Sequence, residues 1–213
     1  MTISTIQEFN QIDAGSSDQV ILNLIQYIED TLPEFRNSLE FVHILAKKKN
    51  ENQHSKSFCV YMTNKCQSTY YFGGENAQMG RHKIDIDVYY GSILIFTIEA
   101  KLLPTPKGTK NTPRAEHEYV YGKGAGIQRF RDGFHGVDNQ DKPLSENGMI
   151  AYVKEHDFEY WFSKVNQWIL NAQWDKSEQL KKIYLKPIAK LFSKHPRPNA
   201  SEVILHHFWI YVS

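Results

Sequence analysis

The sequence predicts a single α/β domain of 213 residues, with a central mixed β-sheet flanked by helices. Three observations predict it. Apolar residues make up 41% and charged residues 23% of the chain, an ordinary globular balance at a length that can bury a substantial core. Apolar residues recur at three- and four-residue spacing in two long stretches, one near each end. Between them lie segments that alternate with period 2 or run apolar for five or six residues, the pattern of strands.

Residues 1–15 read as a loose arm. Ser16 or Ser17 can cap a helix with Asp18 in its first turn, and Val20, Ile21, Leu24, Ile25, Ile28 and Leu32 form its apolar stripe. Pro33 is expected to end it, and a second helix follows over residues 34–46. Lys47-Lys48-Lys49 and the polar residues after them read as an exposed loop. Residues 57–63 and 68–72, rich in Val, Tyr and Phe, read as short strands, with Cys59 and Cys66 bracketing their turn. Two thiols, a polar N-terminus without a signal-peptide core, and no apolar run near the roughly 20 residues that span a bilayer predict a reduced, cytoplasmic, non-membrane protein. No second Cys/His pair at zinc spacing accompanies the thiols.

The most informative stretch is residues 81–101, RHKIDIDVYYGSILIFTIEAK. Ile84, Ile86 and Val88 alternate with Asp85 and Asp87. Leu94, Phe96, Ile98, Ala100 and Leu102 alternate with Ile93, Ile95, Thr97, Glu99 and Lys101. This is a hairpin. For the even-numbered apolar residues to share one face the loop must be odd, most simply Tyr90-Gly91-Ser92. That register leaves Asp85, Asp87, Glu99 and Lys101 on the other face, with Asp85 diagonal to Glu99. Ile93 and Ile95 make the second strand apolar on both sides, so it is expected to be central, where buried charges need partners or a metal. Two carboxylates can hold Mg²⁺ or Mn²⁺ through oxygen, and a nearby ammonium can orient a nucleophile.

Lys83-Ile84-Asp85, then a strand, a turn and Ile98-Glu99-Ala100-Lys101, resembles the signature of the PD-(D/E)XK nuclease superfamily, the restriction-endonuclease-like fold. The usual proline before the first acid is Ile84 here. The resemblance implies an αβββαβ core, over about residues 16–155, and Asp85, Glu99 and the Ala100 carbonyl as metal ligands. Lys101 would be the catalytic lysine. It further implies an acid from an N-terminal helix, for which Glu29 and Glu40 are candidates alongside Glu75 and Asp87. A polar residue on the helix after the catalytic strand, matched here by Gln128, often reaches the site.

After Lys101, residues 104–121 form a long loop with Pro104, Pro106 and Pro113. From there to Gly133, Lys107, Lys110, Arg114, Lys123, Arg129 and Arg131 outnumber the acids, a local basic patch suited to phosphate although the net charge is only +1. Gly122-Lys123-Gly124-Ala125-Gly126 lacks the spacing of a P-loop, which argues against a nucleotide cofactor. Ile127, Phe130 and Phe134 mark a short helix, and residues 148–153 a buried strand, expected parallel to the catalytic one. Asp157 caps a helix striped by Phe158, Trp161, Phe162, Val165, Trp168, Ile169 and Ala172. A further helix is expected over residues 178–192 and a last strand over 203–212. His206 and His207, being adjacent, should face opposite ways; His82, His117 and His135 are possible neighbours of the site.

These readings predict a Mg²⁺- or Mn²⁺-dependent enzyme hydrolysing DNA, in restriction, repair or phage defence, and admit a homodimer for cutting both strands. The contrasting expectation is a module of the same fold that binds nucleic acid or a partner protein with weak or no catalysis.

Overall fold

The computed structural model describes residues 14–45, 50–80, 82–108, 114–198 and 201–212. Lys47 to Lys49 and Lys110, singled out in the sequence, lie outside the described residues. Three helices come first: α1 (Ala14–Arg36), α2 (Leu39–Leu45) and α3 (Glu51–Lys65). Helix α1 runs through Pro33 instead of ending before it. Its stripe of Leu24, Ile28 and Leu32 continues to fully buried Phe35, and that burial outweighs the backbone hydrogen bond a proline removes.

Helix α3 replaces the expected strand over residues 57–63. Asn50 and Gln53 form a reciprocal capping box at its start: the Gln53 N–H donates to Asn50 Oδ1 at 3.2 Å, and the Asn50 N–H donates to Gln53 Oε1 at 3.3 Å. Its strand-favouring residues still form a helix because His54, Phe58 and Met62 recur at four-residue spacing and are buried beside α1. Of the second expected strand only β1 (Tyr71–Gly73) remains. The thiols of Cys59 and Cys66 are both free and buried.

The strands that follow are β2 (Asn76–Ala77), β3 (Lys83–Ile84), β4 (Ile86–Tyr90) and β5 (Ile93–Leu103). After helix α4 (Ile127–Arg131) come β6 (Glu146–Val153), helix α5 (Phe158–Asn171), β7 (Lys181–Tyr184), β8 (Ala189–Pro196) and β9 (Glu202–Tyr211). Seven strands make one mixed sheet in the order β1-β4-β5-β6-β9-β8-β7, while β2 and β3 pair separately. Strands β5, β6 and β9 run parallel, as the strand–helix–strand pattern predicted for the first two. The expected helix over 178–192 is instead the antiparallel pair β7–β8. From Leu191 onward the inward residues alternate, but two of them are Ser193 and His195, and polar inward residues hid the strand period.

The β4–β5 turn is tighter than expected. Tyr90 pairs with Ile93, leaving a two-residue turn at Gly91-Ser92 with Gly91 at φ +60°. A β-bulge between Val88 and Tyr89 then restores the parity, so Val88 faces Phe96 and Ile86 faces Ile98. Ile86, Val88, Phe96, Ile98, Ala100 and Leu102 do share a core face, under α1 to α3. Ile84 leaves that face and joins the other core, because the chain breaks at Asp85 between β3 and β4. The second core lies under α4 and α5, with Met149, Ala151, Trp161 and Trp209 at its centre. On that face β5 carries Thr97, Glu99 and Lys101, all buried.

Candidate active site

Asp85 occupies the break between β3 and β4, and its Oδ2 accepts the Ala100 N–H at 2.8 Å. Continuing the β4–β5 register by one step sets Asp85 opposite Glu99, closer than the diagonal the three-residue loop implied. Side chains two apart on a strand share a face, and Lys101 Nζ meets Glu99 Oε1 at 2.6 Å. Helix α4 adds Arg129, whose Nη1 reaches the same oxygen at 3.2 Å. The other oxygen, Oε2, is buried without a hydrogen-bond partner among the described residues. Fully buried His135 lies beside it, with Nδ1 at 3.5 Å and both ring nitrogens unpartnered.

The acid that sequence reasoning missed is Glu51. It stands in the first turn of α3, and its Oε2 accepts the Leu102 N–H at 2.9 Å, so it reaches the edge of the same cluster. The signal was available: Asn50 followed by Gln53 is a helix-start pattern, and an acid just after it favours the helix dipole. Of the four candidates for a third acid, Glu75 alone lines the cleft, at its rim, and Glu29, Glu40 and Asp87 lie elsewhere. Glu29 pairs with Lys190 at 2.6 Å and accepts from the Tyr184 hydroxyl at 3.2 Å. Glu40 is exposed on α2. Glu75 pairs with Lys83 at 3.2 Å on the cleft rim. Asp87 is buried and accepts from Asn76 at 2.9 Å.

Asp85, Glu99, Lys101 and Glu51 line an open cleft of about 480 Å³. Arg114, Lys123 and Arg129 of the expected basic patch line it. Arg114 donates to buried Glu118 at 2.8 Å, a second missed acid of the cleft wall. Lys107 is exposed on the loop after β5 and outside the cleft lining. Arg131 turns away to Glu178 at 2.9 Å and packs over Trp174. Gln128 does not contact the acids; its Oε1 accepts the Gly122 N–H at 3.0 Å, and its neighbour Arg129 takes the contact with Glu99.

The electrostatics follow from crowding. Burial and the nearby Glu99 carboxylate push Asp85 up to about 7, against the pull of Lys101 and the Ala100 N–H. Burial also raises Glu51, with Lys101 opposing and Asp85 reinforcing it. Burial alone would lower Lys101, but Glu99, Glu51 and Asp85 outweigh it, so the ammonium is held. His135 is driven down to about 2 by burial and by the charges of Arg129 and Lys101, and is neutral. Among the described residues no three acid, histidine or cysteine side chains are already gathered closely enough to hold a metal.

A second buried polar group lies on the same sheet face. Trp209 Nε1 donates to the Tyr119 hydroxyl at 2.9 Å, which meets His207 Nδ1 at 2.7 Å. His207 Nε2 meets Ser193 Oγ at 2.8 Å, Ser193 Oγ meets His195 Nε2 at 2.7 Å, and His195 Nδ1 meets Glu178 at 2.9 Å. An ionised carboxylate only accepts, so His195 carries its proton on Nδ1; working back, Ser193 donates to His195, and His207 donates to Ser193. Serine, histidine and acid in this order resemble a hydrolytic triad. Yet Ser193 is 1% exposed and His195 and His207 are fully buried, so no substrate reaches the hydroxyl. His206, on the opposite face as expected, pairs with Glu146 at 2.6 Å. Comparison of the chain with protein-family models, curated proteins and solved structures finds no match.

Proposed function

We propose that the chain is a metal-dependent nuclease that hydrolyses DNA phosphodiester bonds, with Asp85, Glu99 and Lys101 as its centre. The observation that carries this reading is the convergence of Asp85, Glu99 and Glu51 on one buried lysine at the wall of a cleft that also holds Arg114, Lys123 and Arg129, with Asp85 pushed up to about 7. Carboxylates so crowded are short of positive charge. Their oxygens, including the unpartnered Glu99 Oε2, are the hard donors that Mg²⁺ or Mn²⁺ takes. Asp85, Glu99 and Glu51 would hold the ion, with the Ala100 carbonyl as a further ligand by resemblance to the PD-(D/E)XK pattern. Such a cation would neutralise the acids and screen the phosphate.

The chain's own residues supply the rest. Lys101, held charged on Glu99, orients the attacking water. Arg129, Arg114 and Lys123 offer positive charge to the phosphates on either side of the scissile bond. The test is cleavage of plasmid and linear DNA with Mg²⁺ or Mn²⁺ by wild type, Glu99→Gln and Lys101→Ala. Cutting by wild type alone supports the enzyme. One observation favours a second reading, a nuclease-fold module that binds without cutting: Lys101 and Arg129 both sit on Glu99 Oε1 and neutralise it without a metal. No cutting by wild type, with nucleic-acid affinity unchanged in both variants, would favour that reading.

A further inference from the structure

The face of the sheet that carries Glu99 and Lys101 continues across β4 to β1. Asp87 pairs with Thr97 on one side and with Gly73 on the other, and Tyr89 pairs with Tyr71. Tyr71, Gly73, Asp87 and Tyr89 line a second open hollow of about 460 Å³ at the edge of the sheet. Glu75 lines both this hollow and the catalytic cleft, so the two are contiguous. Tyr71 is 58% exposed, although an aromatic ring of this size is usually covered. Its ring lies 6.2 Å from that of Tyr89 at 47°, a tilted pair that forms a platform.

The floor of the hollow is built. Asn76 Nδ2 bonds both Asp87 Oδ2 at 2.9 Å and the Tyr89 hydroxyl at 3.3 Å, which fixes the Tyr89 ring. Gly73 is required, since a Cβ there would overlap Asp87 Oδ1. The charge differs from that of the cleft, where lysines and arginines match the acids. Glu75 and Asp87 are its ionisable acids, and no lysine or arginine is among its lining residues. The cleft therefore offers phosphate lysines and arginines, and the hollow beside it offers none. A flat, uncharged ring with polar edges suits the hollow: it can stack on tyrosine and donate N–H groups to acids and hydroxyls.

We infer that the hollow is a nucleobase subsite, taking the base of an unpaired nucleotide next to the phosphate held in the cleft. This inference rests on the nuclease reading of the cleft and narrows its substrate to nucleic acid with a single-stranded stretch beside the scissile bond. In a continuous duplex the base is stacked and paired, and its face is not offered to Tyr71.

The test uses the full chain and a fluorescent short duplex with a single-stranded tail. Binding is measured by anisotropy in EDTA, for normal tails and for tails whose sugars lack bases. Wild type should bind the normal tail about tenfold more tightly than the base-free one, the size of one aromatic stack. Tyr71→Ala should lose that difference, and Tyr71→Trp should keep it. Tyr71 is exposed, so thermal unfolding of both variants should match wild type. Equal affinity of wild type for both tails, retention of the difference by Tyr71→Ala, or no nucleic-acid binding at all would each overturn the subsite. Cleavage in Mg²⁺ separates the two claims. Cutting with no dependence on tail bases leaves the nuclease and removes the subsite; Tyr71-dependent binding without cutting leaves the subsite and removes the enzyme.

Discussion

Two buried polar groups share one face of the sheet and differ in a single respect. In the chain from Tyr119 through His207, Ser193 and His195 to Glu178, each linking atom has a partner and the protons run one way. In the cluster of Asp85, Glu99, Glu51 and Lys101, Glu99 Oε2 and both nitrogens of adjacent His135 have none among the described residues. A satisfied buried network stabilises and specifies a fold, whereas unsatisfied, crowded groups cost stability. The difference separates a serine and two histidines that hold the protein together from acids and a lysine that are kept at a cost for something else. It also explains why a triad-like order of residues is here a structural device.

This contrast can be tested from both sides. The largest effect is expected at the crowded cluster: Glu99→Gln should lower DNA cleavage about a thousandfold, roughly 4 kcal/mol in the barrier, while leaving the unfolding midpoint in denaturant no lower. A large loss of stability in that variant would erase the distinction. Next, Glu178→Ala removes the acceptor of both His195 and Arg131 and should cost about 3–5 kcal/mol in urea unfolding. Ser193→Ala leaves two imidazole nitrogens facing each other without a bridge and should cost about 1–3 kcal/mol.

The pH dependences should have opposite signs. Asp85 is raised in the fold, so the metal-free protein is favoured while this group is protonated and loses that advantage as pH rises from about 4 to about 7. Asp85→Asn should therefore stabilise the metal-free protein at pH 8, by on the order of 1 kcal/mol, and change little at pH 4. Glu178 is lowered to about 2: burial alone would raise it, but His195 and Arg131 outweigh burial. Its contribution is complete above its unfolded value and is lost as pH falls through about 2. Glu178→Gln should flatten the acid limb of a stability–pH curve and leave the neutral limb parallel to wild type. Equal slopes for both variants would show that the two groups do not differ in this way.

The legible part of the sequence was the part where side-chain period and burial agree. The alternation from Ile86 to Leu102 gave the hairpin, its core face and the charged face, and the stripe from Phe158 to Ile169 gave α5 with its Asp157 cap, which accepts the Tyr160 N–H at 2.7 Å. The turn length was misread because a bulge can restore parity as well as an odd loop can. Glu51 was missed because the polar residues around it read as an exposed loop and residues 57–63 as a strand, whereas both belong to α3. The strand pair β7–β8 was mistaken for a helix for the reason that makes it interesting: Ser193 and His195 are inward yet polar, and only the partners that β9 and residue 178 bring to them make that burial tolerable. Arg129 takes the contact with Glu99 that was expected of Gln128 one residue before it on the same short helix, a rotation that spacing alone does not fix.

The sheet ends in short strands on both sides. β1 has three residues, and β7 has four, with a bulge between Lys182 and Tyr184 and exposed lysines at 181 and 182. Each border thus offers few free backbone groups, and on the β7 side they are offset and guarded by positive charge, which discourages stray strand addition. Crowded growth conditions that would stack longer open borders into aggregates should find little purchase here. Among the described residues, pairing of two copies of this chain along the sheet borders would find only a short ledge of main chain to build upon.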